Sequence, residues 1–86
     1  SLDTLRSWRA RQMAALADAG WALMPSEANF LCAQPPAGVD TAALCISLRS
    51  RGIQLRDASS FGLPGWVRVG VLPPVAVDAL LQVLAR

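Results

Sequence analysis

The chain is 86 residues long, 53% hydrophobic and 16% charged, with a formal net charge of +2. A chain this short holds one small core, and so mild a charge gives no electrostatic reason to expect a nucleic-acid partner. All eight basic residues are Arg, with no Lys and no His, which excludes a Schiff-base lysine, a histidine general base and histidine metal ligands.

Residues 2–19 predict one helix, with Leu5, Trp8, Gln12 and Leu16 on one stripe and Ala15 and Ala19 widening it. Gly20 then ends it as a C-cap. A helix that starts with the chain itself leads us to expect a cut through a longer helix. Trp21–Met24 is a short apolar strand ending at Pro25. Asn29–Ala33 is a second, buried strand, closed by Pro35 and Pro36. Asp40 caps a second helix over 41–51, carrying Leu44 and Leu48 at i, i+4 spacing and stopped by Gly52. Ile53–Arg56 alternates, with Ile53 and Leu55 on one face and Gln54 and Arg56 on the other. A loop of Ser, Gly and Pro with one Phe spans 57–65. In the next strand, Trp66–Val71, Val67, Val69 and Val71 share one face, and Trp66, Arg68 and Gly70 the other. Pro73 and Pro74 open a last helix whose apolar face is Val77, Leu80, Leu81 and Leu84. The order helix, strand, strand, helix, strand, strand, helix predicts an α/β two-layer sandwich, a small mixed or antiparallel sheet covered by helices.

The apolar fraction is high for a domain in which surface dominates. It implies apolar surface meant for a partner, another domain or another subunit. No run approaches the length of a membrane-spanning helix, so no membrane partner is expected. Cys32 and Cys45 lie in apolar runs without a motif and read as small buried hydrophobes. No Ser/His/Asp set, CxxC pair, HExxH or close carboxylate pair is present, and no catalytic residue or metal site is expected.

Arg68 carries the most information. Alternation places it opposite the valine face and beside Gly70, where a small ligand has room to approach the guanidinium. It is then either an exposed arginine on a half-covered sheet or a bidentate grip on a carboxylate. Arg56 ends the preceding strand, so both guanidiniums could converge on one anion. Ser59, Ser60 and Gly62 could add donors to a phosphate, though any tight connection uses the same residues. Phe61 and Trp66 either pack this loop down or touch a partner.

Three stretches, PSEANFL (25–31), RGIQLRD (51–57) and GLPGWVRVGV (62–71), occur in an order that resembles the C-terminal small domain of fold-type I pyridoxal-phosphate (PLP) enzymes. The similar branch holds histidinol-phosphate aminotransferases and the threonine-phosphate decarboxylases of cobalamin biosynthesis, and the pattern RDxSSFGLPGxVRVxV leans toward the latter. The resemblance covers nearly the whole chain. It implies that residues 1–86 are the substrate-carboxylate-binding small domain of a longer cytoplasmic enzyme, itself a homodimer. Arg68 would bind the substrate α-carboxylate and Arg56 the distal anionic group, a phosphate in this branch. Asn29 would line the edge of the site. PLP, with its lysine and its other binding residues, would belong to the large domain, so this chain would bind no cofactor and be inactive alone. The chemistry would be transamination or decarboxylation of a small amino acid or amino acid phosphate. A different class also fits the residues: a freestanding small-ligand or interaction module that binds an anion by itself.

Overall fold

The computed structural model describes residues 2–24, 30–59 and 62–84. Seven elements follow in order: α1 (Leu2–Asp18), β1 (Ala22–Met24), β2 (Phe30–Gln34), α2 (Thr41–Arg49), β3 (Leu55–Asp57), β4 (Val67–Gly70) and α3 (Pro74–Leu84). The expected α/β two-layer sandwich is present. Its sheet is antiparallel at every pairing, in the order β1-β2-β4-β3. Strands β2 and β3 therefore run parallel to each other, joined through α2, and β4 fills the gap between them. This split βαβ arrangement puts β4 at the centre of the sheet.

One face of the sheet carries Leu31, Ala33, Leu55, Val67 and Val69, all buried against Leu16, Leu44, Leu48 and Leu80 of the helices. Alternation then leaves Cys32, Arg56, Arg68 and Gly70 on the face without helices. The helix ends are closed as the glycines suggest. Trp21 N–H donates to Leu16 O at 3.0 Å and Gly20 N–H to Ala17 O at 3.1 Å, with Gly20 at φ 91°. The same pair of bonds ends α2, from Ile53 to Leu48 and from Gly52 to Arg49, with Gly52 at φ 81°. These are Schellman closures, which need a residue tolerant of the left-handed region. Asp40 caps α2, its Oδ1 accepting from Ala42 N–H and Ala43 N–H at 3.0 and 3.2 Å.

Several expectations shift. The helix expected over 41–51 stops at Arg49 because the Gly52 closure takes up its last residues. The third strand begins at Leu55 rather than Ile53, since Ile53 N–H is already spent on Leu48. Trp66 and Val71 flank β4 rather than belonging to it. Leu5 is 47% exposed and Leu2 72%, so the first turns of α1 carry apolar side chains that nothing among the described residues covers. Cys45 is buried as expected, but Cys32 is only half-buried, because its position in β2 turns it to the helix-free face; both are free thiols.

Candidate anion-binding face

Arg68 sits on the central strand. Its neighbours Val67 and Val69 are 0% and 2% exposed and anchor β4 to the core, which fixes the opposite direction for Arg68. Across the sheet, Arg68 is the Cα partner of Cys32 on β2 and of Arg56 on β3. Two guanidiniums thus lie side by side on one face. Like charges directly opposite on neighbouring strands destabilise a sheet. An arrangement of this kind is rational where an anion sits between them.

Phe30, on the same face, lies under Arg68, whose guanidinium carbon is 4.3 Å from the ring centroid. This cation–π contact holds the guanidinium plane in place over the ring. A cleft of about 290 Å³ follows, lined by Phe30, Gln54, Arg56, Arg68, Val69 and Gly70. A larger depression of about 650 Å³ continues over the edge of β3 toward α2, where Ile46 and Arg49 join Arg56, Asp57 and Arg68. Gln54, Arg56 and Arg68 line both and form the common wall.

The loop between the two arginines is closed by its own backbone. Ala58 N–H donates to Trp66 O at 2.9 Å, Leu63 N–H to Ala58 O at 3.2 Å and Trp66 N–H to Leu63 O at 3.1 Å. Asp57 Oδ1 accepts from Ser59 N–H at 2.9 Å, and Gly62 N–H donates to Ser59 O at 3.1 Å. The backbone donors of Ser59 and Gly62, among those the sequence offered to a phosphate, are therefore consumed within the loop itself. Its observed part instead sets the spacing of the strands that carry the arginines.

Asn29, Ser60 and Phe61 lie outside the described residues. One contributor was not singled out from the sequence. Gln12, on α1, is completely buried. Its Nε2 donates to Gly70 O at 3.1 Å and its Oε1 accepts from Leu72 N–H at 2.8 Å. The side chain thereby ties α1 to the end of β4, two residues beyond Arg68. The signal was present: a lone amide in a stripe of Leu5, Trp8 and Leu16.

The fold and this face define an α/β two-layer domain with two arginines paired on one face of its sheet. The chain matches the aminotransferase class I and II family over residues 1–84. It belongs to that family, whose members depend on PLP. It is 36% identical over its whole length to a histidinol-phosphate aminotransferase from Frankia casuarinae, covering 20% of that protein. It superposes on N-succinyldiaminopimelate aminotransferase from Mycobacterium tuberculosis with a TM-score of 0.70 at 29% identity, covering 96% of this chain and 24% of that one. L-threonine-O-3-phosphate decarboxylase from Porphyromonas gingivalis shares the fold, with a TM-score of 0.68 at 24% identity over 93% of this chain and 26% of that one. The chain spans a fifth or less of the length of the curated relatives it matches.

The residues present do not fit a PLP cradle. The sequence holds no Lys to bond covalently to the cofactor's aldehyde. What it offers is a pair of permanently charged, fork-shaped donors, which suits a substrate anion.

Proposed function

We propose that residues 1–86 are the C-terminal small domain of a PLP-dependent aminotransferase or decarboxylase, and that their task is to grip a phosphorylated amino acid. Arg68 takes the α-carboxylate and Arg56 the distal anionic group. The observation that carries this reading is the direct pairing of Arg56 with Arg68 on the open face of the sheet. The cofactor supplies the electron sink for the substrate's α carbon, and this domain orients the substrate toward it. The PLP-binding large domain of the same enzyme is the partner, in a homodimer. The exposed Leu2 and Leu5 support apolar surface that another domain covers.

Two substrates come first. Identity of 36% to a histidinol-phosphate aminotransferase favours histidinol phosphate; that compound has a phosphate but no carboxylate, so Arg68 would then take the α-carboxylate of the amino-acid co-substrate. The RDxSSFGLPGxVRVxV pattern favours threonine phosphate and the cobalamin-type decarboxylase. The test is steady-state kinetics of the full-length protein carrying this chain, with both compounds. Arg68→Ala should lower kcat/KM for the true substrate by the equivalent of ~2–5 kcal/mol, the cost of stripping one partner from a desolvated charge pair. An unchanged kcat/KM removes Arg68 from the site.

A further inference from the structure

Five of the six glycines, Gly20, Gly38, Gly52, Gly62 and Gly65, have φ between 80° and 91° and are required by their backbone. Gly70 is the exception. It lies inside β4 with no left-handed φ, and a Cβ built on it would meet nothing within 4 Å. Neither backbone conformation nor packing against the described residues calls for glycine there. Glycine inside a strand nevertheless weakens it relative to Ala.

Its position supplies the reason. Gly70 is the Cα partner of Phe30 and stands two residues from Arg68 on the same face. It forms the floor of the 290 Å³ cleft, with the Phe30 ring on one side, Gln54 on the other and the arginine pair at one end. Any side chain at position 70 would rise into that cleft. Glycine within a strand is what a closely approaching ligand selects.

We infer that Gly70 is the specificity-determining position of this face: its missing side chain leaves room for the body of a substrate whose anionic groups are held by Arg56 and Arg68. The inference rests on the proposed anion grip. It assigns the division of labour on the face. The arginines hold charge and tolerate many anions, whereas the gap over Gly70 limits the bulk attached to the anion.

The experiment uses the full-length protein with Gly70→Ala, Gly70→Val and Arg56→Ala. Three quantities are read: the melting temperature, kcat/KM for whichever phosphorylated substrate it turns over, and the inhibition constant of inorganic phosphate as a competitor. Both Gly70 variants should melt at or above the parent temperature, because the new Cβ has open space and the strand gains a better strand former. kcat/KM should fall by about tenfold or more for Gly70→Val and by less for Gly70→Ala, the scale on which one or two methyl groups discriminate in a pocket. Phosphate inhibition should stay within twofold of the parent. Unchanged kcat/KM in Gly70→Val overturns the inference. So does a lowered melting temperature, which would place protein rather than substrate above Gly70. So does loss of phosphate inhibition, which would mean that the arginines had moved. Arg56→Ala separates the two proposals: if it leaves phosphate inhibition intact, the anion grip itself is wrong, whatever Gly70 does.

Discussion

Arg56 and Arg68 face each other directly across β3 and β4, on the side of the sheet that no helix among the described residues covers. Arg56 is exposed and Arg68 half-buried, and the two repel. Substituting Arg56 should therefore separate stability from function. We expect Arg56→Ala to leave the melting temperature unchanged or raise it, by the equivalent of ~0.2–1 kcal/mol relieved from a like-charge cross-strand pair. Affinity for a phosphorylated substrate should fall in the same variant. Differential scanning calorimetry alongside substrate titration would show both effects. A destabilised Arg56→Ala protein with intact binding would make the pair structural.

The buried Gln12 amide makes a second prediction about the same strand. Replacing it with Leu, close in size but without hydrogen-bonding groups, leaves the partly buried Gly70 O and Leu72 N–H without the Gln12 amide. Each unsatisfied group costs about 1–3 kcal/mol. Hydrogen exchange should report this locally, with the Leu72 amide losing protection in Gln12→Leu while amides in α2 keep theirs. If the Leu72 amide exchanges no faster, the bond to Gln12 Oε1 does not hold that segment.

Much of the architecture could be read ahead of the structure because it rests on local chemistry. Gly20 and Gly52 end their helices, and Asp40 starts one, through bonds confined to a few residues. Val67 and Val69 alternate with Arg68, so the face of the arginine followed from pleat geometry alone. What escaped was long-range. Gln12 bonds to residues 58 and 60 positions away, and no periodicity marks such a partner. Cys32 looked like core because its run is apolar, yet β2 has one uncovered face and Cys32 is on it. Whether Ser59 and Gly62 had donors to spare depended on how the loop closes on Asp57 and Ser59.

Capping of α2 can be tested without touching the site. Asp40→Ala removes the acceptor of two backbone donors, Ala42 N–H and Ala43 N–H. The expected loss is about 1 kcal/mol. It should appear as faster exchange in the first turn of α2, with Asp40→Asn or Asp40→Ser restoring most of the protection. Substrate kinetics should hardly change, since Asp40 lies outside both clefts. Equal exchange in parent and Asp40→Ala would assign the stability of that turn to the packing of Leu44 and Leu48 instead.

Cys45 gives a pH-dependent prediction. Burial pushes its thiol above the ordinary value of 9.0; the Asp57 carboxylate adds to the rise and the Arg49 guanidinium opposes it. Between the unfolded and the folded value, the native state holds a proton that the unfolded chain has lost. The stabilisation from keeping Cys45 neutral is therefore complete below pH 9.0 and fades as pH climbs above it. Since the thiolate is the nucleophile, Cys45 should alkylate far more slowly in the folded protein than in urea at the same pH. Arg49→Ala, which removes the one opposing charge, should slow it further. Mass mapping of iodoacetamide adducts between pH 8 and 10 would measure both rates. Equal rates in folded and unfolded protein would show that Cys45 is not shielded in the core between α2 and the sheet.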